Sequence, residues 1–285
     1  MELMTHIDIP ASDWKMKPKA QVLLVGSCFT DEVGEKMVRG GMEAMVNPFG
    51  TLYNPASIAA SLLRSISERD YTEDSTELVQ GNDGTWHSWM HHSRFSSKSK
   101  TELLDAINET MHKVGSFLRE ADVLVITLGT AIIYRQKETG MLVANCHKMP
   151  DAMFVRERMT AYDIADQWLM LLQLLESVNP RLKVIFTVSP IRHKRDGMHV
   201  NQISKGILLQ ALDEMAVEYF PAYEIMLDEL RDYRFYADDM IHPSELAVEY
   251  IWQRFQDTYF DNKTKDAVAK ATKEWQRHQH RTIIQ

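Results

Sequence analysis

Gln21-Val22-Leu23-Leu24-Val25-Gly26-Ser27-Cys28-Phe29 is a short apolar run that ends in a turn and gives way to a helical pattern. Phe29, Val33 and Met37 recur every four residues, which marks one face of a helix. A strand that turns directly into a helix places Cys28 beside the amide donors of a helix N-terminus. Such a position favours a thiolate and can bind a developing oxyanion, so it suits a nucleophile.

Working outward, three further runs share the character of Val22–Val25: Met42–Val46, Val123–Leu128 and Val184–Val188. The last two are apolar on both faces, as buried parallel strands are. Amphipathic helices lie between and after them. Asn54-Pro55 supplies an N-cap and an N1 proline ahead of the stripe Ile58, Leu62 and Ile66. Thr101 opens a helix with Leu104, Ile107, Met111, Val114 and Leu118 on one side. Thr160-x-x-Asp163 has the form of a capping box ahead of Ile164, Trp168, Leu171 and Leu175. Ser204 is expected to begin a helix carrying Ile207, Ala211 and Met215, and Ser244 to cap one carrying Ala247, Ile251, Phe255 and Tyr259. Strand alternating with helix predicts an α/β fold, a three-layer α/β/α sandwich whose central parallel sheet has about five strands. The fifth strand is expected near Ala222–Met226.

Two segments interrupt the alternation. Residues 71–100 are polar and turn-rich, with Asn82-Asp83-Gly84 ahead of Trp86-His87-Ser88-Trp89-Met90-His91-His92. Residues 131–147 form a hairpin pattern, Ile132–Arg135 and Leu142–Asn145, around Gly140. Both are expected as insertions that roof a site. Residues 263–281 are charged and helix-prone, a C-terminal helix facing solvent. With no internal repeat and no linker composition, residues 1–285 are expected to form a single domain.

The net charge of -8 argues against a nucleic-acid partner, which calls for a basic footprint. Cys28 and Cys146 are the two cysteines, and they lack CxxC spacing. A disulfide scaffold, a zinc ribbon and a thioredoxin-type site are therefore not expected. No stretch is long and apolar enough for membrane insertion. The opening residues Met1–Lys19 are polar, without the apolar region of a signal peptide, so a cytoplasmic location is expected.

The second chemical signal is Asp238-Asp239-Met240-Ile241-His242-Pro243-Ser244. Asp239 and His242 are three residues apart, a spacing that lets a carboxylate orient an imidazole and leave its other nitrogen free as a base. Cys28, His242 and Asp239 together have the composition of a nucleophile, a base and an orienting acid. Arg192, in the loop after Val184–Val188, sits where doubly wound sheets bind ligands and suits a carboxylate or phosphate. His193, His199, Asn201 and Lys205 continue that polar loop. His87 and His91 have i, i+4 spacing, but no third ligand stands out among the residues around them, so no metal is expected. An aromatic lid or a solvated hairpin suits this segment better.

Val25-Gly26-Ser27-Cys28-Phe29-Thr30-Asp31-Glu32-Val33-Gly34 resembles the first block of the SGNH (GDSL) hydrolases, and Asp239-x-x-His242 resembles their last. Gly26-Ser27-Cys28-Phe29, Asn47-Pro48-Phe49-Gly50-Thr51-Leu52-Tyr53-Asn54-Pro55 and Ser189-Pro190-Ile191-Arg192-His193 resemble, more closely, the GSCFA family, a distant relative of that group. The resemblance implies a flavodoxin-like sandwich of the SGNH-hydrolase type with a triad at the edge of its sheet.

Carried over residue by residue, the resemblance puts Cys28, rather than Ser27, at the nucleophile position. Ser27 stands where the block has its aspartate and remains the rival nucleophile. Gly50 matches the glycine whose amide is a second oxyanion donor. The third donor is an asparagine in a G-x-N-D or G-T-N-D block, but here that place is Leu128-Gly129-Thr130-Ala131. Gly81-Asn82-Asp83 lies in a polar turn and does not supply it. Losing one such donor costs about 3 kcal/mol of transition-state stabilisation, so a substitute is expected. Asn145 and His147, returning from the hairpin, are the candidates. The implied activity is acyl transfer, an esterase-type hydrolysis of an acylated small molecule or glycan without metal or organic cofactor. An acyltransferase using the same triad and an inactive ligand-binding module are the alternatives.

Overall fold

The computed structural model describes residues 4–282, and side chains as far as residue 279. The first and last three residues of the expected 1–285 range lie outside the described residues. β1 (Gln21–Gly26) runs into α1 (Cys28–Arg39), followed by β2 (Glu43–Val46) and α2 (Pro55–Ile66). β3 (Leu78–Gln80) and β4 (Trp86–Ser88) precede α3 (Lys100–Glu120) and β5 (Val123–Leu128). Next come β6 (Ile132–Gln136), β7 (Leu142–Val143), β8 (Phe154–Arg158), α4 (Ala161–Val178), β9 (Lys183–Val188) and α5 (Met198–Met215). β10 (Tyr219–Phe220), α6 (Ala222–Glu224) with a π-helical turn over Ile225–Glu229, α7 (Glu245–Tyr259) and α8 (Asn262–Thr282) complete the order.

The central sheet has five strands in the order β2-β1-β5-β9-β10, all parallel. Counted along the chain this is second, first, third, fourth, fifth, the flavodoxin-like arrangement. Side chains alternate between the two faces of each strand. Leu23, Val25, Leu124, Ile126, Phe186 and Val188 face one core, shared with α2, α3, α4 and α5. Val22, Leu24, Val123, Val125 and Ile185 face the other, shared with α1, α7 and Val268 of α8. Each of these side chains stabilises the fold by about 1.5–3 kcal/mol through burial. The sheet with helices on both faces is the expected three-layer sandwich.

Three expectations are corrected. The fifth strand is Tyr219–Phe220, and Ala222–Met226 is helical. Pro221 has no N–H to extend the ladder, and a short buried apolar run does not distinguish strand from helix by period. α5 begins at Met198, after Gly197 (φ 81°), so Ser204 lies inside it. The Ser204 hydroxyl is engaged elsewhere: its Oγ accepts the Ala131 N–H at 2.6 Å and meets Thr130 Oγ1 at 2.9 Å. The hairpin of β6 and β7 gains β8 on its other side, making a three-stranded sheet, β7-β6-β8.

The two insertions join each other. Ala144 and Asn145 donate their N–H groups to the Trp89 carbonyl at 2.8 and 3.0 Å, and Trp89, Val143 and Phe154 share a small core. No helix among the described residues is long and apolar enough to cross a membrane.

Candidate active site at the carboxyl edge of the sheet

The strand order reverses at β1, so the crevice beyond the carboxyl ends of β1 and β5 is the place where such sheets bind ligands. Gly26 builds the turn there. Its φ is 150°, and an added Cβ would lie 2.2 Å from the Thr127 carbonyl oxygen, so no other residue fits. The Gly26 N–H donates to Asn47 Oδ1 at 2.9 Å, and Asn47 Nδ2 donates to Asp31 Oδ1 at 2.8 Å. Asn47 thereby ties the end of β2 to both sides of the turn. Burial pushes the Asp31 carboxyl up, against the opposing effect of that hydrogen bond.

Ser27 and Cys28 diverge from this turn. Ser27 is 1% exposed, its N–H donates to Thr127 O at 3.2 Å, and its Oγ is buried without a partner. Cys28 is half-buried at the first position of α1, where an amide has no intrahelical acceptor. Its Sγ lies 3.4 Å from Tyr53 Oη, its one side-chain hydrogen-bond partner among the described residues. Burial, and then the contact with Cys28, push the Tyr53 phenol well above its ordinary value.

Asp239 and His242 form the expected pair. His242 Nδ1 and Asp239 Oδ2 are 2.6 Å apart, while Asp239 Oδ1 accepts the N–H groups of Ile241 and His242 at 2.8 and 3.0 Å. These bonds, that from the His242 amide first, hold the Asp239 carboxyl down at about 2. The loop is pinned by the Arg192 N–H, which donates to the Ile241 carbonyl at 3.3 Å. His242 makes no hydrogen bond to Cys28 here: the pair is formed, and the thiol rests on Tyr53 instead.

The expected oxyanion donors are otherwise engaged. The Gly50 N–H (φ 84°) closes a turn onto Asn47 O at 2.8 Å. The Gly129 N–H donates to Tyr53 O at 2.8 Å, beside that of Thr130 at 3.0 Å. Asn145 Oδ1 accepts the His147 N–H at 2.9 Å, and its Nδ2 reaches Ser93 Oγ at 3.4 Å. Both ring nitrogens of His147 have partners, Ser93 Oγ at 3.3 Å and Ser88 O at 2.7 Å. Asn145 and His147 instead line a cleft of about 540 Å³ with Tyr53, Asn54, Thr130 and His193. Arg192 faces away from it. Its guanidinium lies 4.0 Å over the Tyr236 ring, in a separate cavity of about 490 Å³ with Arg231 and Tyr233.

The histidines of the first insertion have local roles. His87 Nδ1 meets Ser96 Oγ at 2.7 Å, His91 Nδ1 meets Ser88 Oγ at 2.8 Å, and His92 Nδ1 accepts the Arg94 N–H at 3.1 Å. No cluster of three metal-ligating side chains occurs among the described residues.

Two residues gain importance only in three dimensions. His193 meets the Tyr53 ring edge-on at 5.5 Å, its backbone N–H donates to Asn201 Oδ1 at 2.9 Å, and its Nε2 is buried against Gly129 without a hydrogen bond of good geometry. Burial, and then the charge of Lys205, push His193 down to about 4. Lys205 is 1% exposed and donates to Ser189 O at 2.6 Å, and burial lowers it to about 7. The polar spacing of this loop hinted at function, but nothing in it marked Lys205 as buried.

The protein is thus a flavodoxin-like α/β/α sandwich with a thiol at the start of α1, and a phenol and a carboxylate-oriented imidazole on loops, at the carboxyl edge. The GSCFA family model matches residues 21–255, and the chain belongs to that family. Comparison with curated proteins finds no match. One solved structure, 14% identical, aligns over 84% of this chain and 96% of its own with a TM-score of 0.38.

Proposed function

We propose that this protein is an acyl-transfer enzyme, an esterase-type hydrolase acting on an acylated polar small molecule or glycan. The observation that carries this reading is the His242 ring, fixed through Nδ1 by an ionised Asp239 and with Nε2 making no hydrogen bond among the described residues, on a loop bonded to the same sheet edge as Cys28. Cys28 Sγ attacks the acyl carbon and forms a thioester. His242 takes the thiol proton and returns it to the leaving hydroxyl; a water then releases the acyl group by the reverse exchange. Closing the gap between thiol and imidazole accompanies substrate binding, since such bonds often tighten only in the complex. The polar cleft beside Tyr53, with Asn54, Asn145 and Lys148 in its walls, suits a hydroxyl-rich group. An amine acceptor in that cleft would turn the same thioester to acyl transfer.

The engaged Gly50 and Gly129 amides and the contact of Cys28 with Tyr53 favour a second reading, a ligand-binding module that turns nothing over. Steady-state hydrolysis of aryl acyl esters separates the two. Cys28→Ala is expected to abolish turnover and Ser27→Ala to retain it. Turnover that survives Cys28→Ala, or its absence from the unmodified protein, contradicts the proposal.

A further inference from the structure

We infer that Tyr53 is a catalytic residue, the side-chain donor that completes the oxyanion hole. This rests on the acyl-transfer reading and adds to it a donor beside the Cys28 amide, in place of the Gly50 and Gly129 amides, which are engaged elsewhere. The hole needs donors aimed at the oxygen of a carbon bonded to Cys28 Sγ. The Cys28 amide is one. The Gly50 and Gly129 amides are bonded to Asn47 and Tyr53 carbonyls, and the amide of Asn145 and the ring of His147 have partners of their own. Tyr53 Oη is already 3.4 Å from the attacking sulfur, so an acyl oxygen arriving on a carbon bound to that sulfur enters its reach.

Three features suit the phenol to the task. Its backbone is clamped, because the Tyr53 carbonyl accepts the Gly129 and Thr130 N–H groups and the next residue, Asn54, caps α2. Its ring is braced edge-on by His193 at 5.5 Å. Burial keeps the hydroxyl protonated, so it donates a hydrogen bond without giving up its proton.

The step balances without a further reagent. The Cys28 thiolate pair forms the S–C bond, and the carbonyl π pair moves onto oxygen, where Tyr53 Oη–H and the Cys28 N–H donate to it. The pair then re-forms the carbonyl as the bond to the leaving oxygen breaks. That oxygen takes from His242 the proton first removed from the thiol. Tyr53 keeps its own proton throughout.

Alkylation provides the discriminating control, because iodoacetamide consumes the thiolate without forming an oxyanion. With the full chain, p-nitrophenyl acetate would measure acylation of Cys28 and iodoacetamide its alkylation, both followed by intact mass. Tyr53→Phe is expected to slow acylation about 10²- to 10³-fold while alkylation stays within about threefold. Replacement by 3-fluorotyrosine, which keeps ring and hydroxyl, is expected to restore acylation to within about threefold of the unmodified protein. Equal loss of both reactions would assign Tyr53 to the thiol itself, and loss of neither would remove it from the reacting atoms; either overturns the inference. An unmodified protein that takes up no acetyl group on Cys28 overturns the acyl-transfer reading on which the inference stands, a result distinct from both.

Discussion

Asp239 accepts two backbone N–H groups on one oxygen and the His242 ring on the other, which keeps its carboxylate ionised across the neutral range. In the proposed mechanism its task is to hold the imidazole in one tautomer. Asp239→Asn would present an NH₂ group toward Nδ1 and favour the opposite tautomer, so kcat is expected to fall about 10²- to 10⁴-fold with little change in KM, measured on aryl esters. The sequence made this pair legible because Asp239 and His242 belong to one tight loop, where spacing alone brings them together. Tyr53 was not legible as a partner of Cys28. Its hydroxyl arrives through the loop that follows β2, 25 residues along the chain, and nothing local records that meeting. Gly50 and Gly129 donate their amides to the Asn47 and Tyr53 carbonyls, and a residue's identity does not reveal which carbonyl its amide has already found.

The turn from β1 into α1 is the element on which the site depends. Gly26→Ala would drive a Cβ into the Thr127 carbonyl oxygen at a φ that side chains rarely adopt. We expect a loss of about 3 kcal/mol, read as a lower urea midpoint, with activity lost as β1 and β5 part at their carboxyl ends. The elements read correctly from sequence are those announced by local chemistry. Asn54 with Pro55, the Thr160–Asp163 box and Ser244 all cap the helices they precede. Those misread were decided at long range. Ser204 resembles a cap but binds the backbone of the loop after β5, β8 is polar outside its pairing with β6, and Ala222–Met226 is apolar because it is buried as a helix.

Across the whole molecule, the two insertions and the loop after β9 bury histidines in neutral form. Burial pushes His91 down to about 3, and His147 and His193 to about 4, from an ordinary 6.5. The unfolded chain binds these protons between pH 6.5 and the folded values, so it holds more protons there than the folded chain. Stability is therefore fully present above about pH 6.5 and falls as pH drops toward 4. Urea unfolding at a series of pH values is expected to show that decline, and His193→Gln to make it shallower. A stability that stays level from pH 6.5 to 4 would contradict neutral burial of these rings. The same scale explains why the fold class was readable: residues alternating between two cores along β1, β5 and β9 leave an apolar pattern that sequence records directly. The joining of the insertions through the Trp89 carbonyl is a backbone contact, and it leaves no such pattern.

In the proposed mechanism Cys28 carries the acyl group. The direct measurement is peptide mapping by mass spectrometry after brief reaction of the full chain with an aryl acyl ester, with and without neutral hydroxylamine. A hydroxylamine-labile adduct is expected on Cys28, absent in Cys28→Ala and formed more slowly in His242→Ala. A hydroxylamine-resistant adduct on Ser27, or no adduct at this turn, would contradict it.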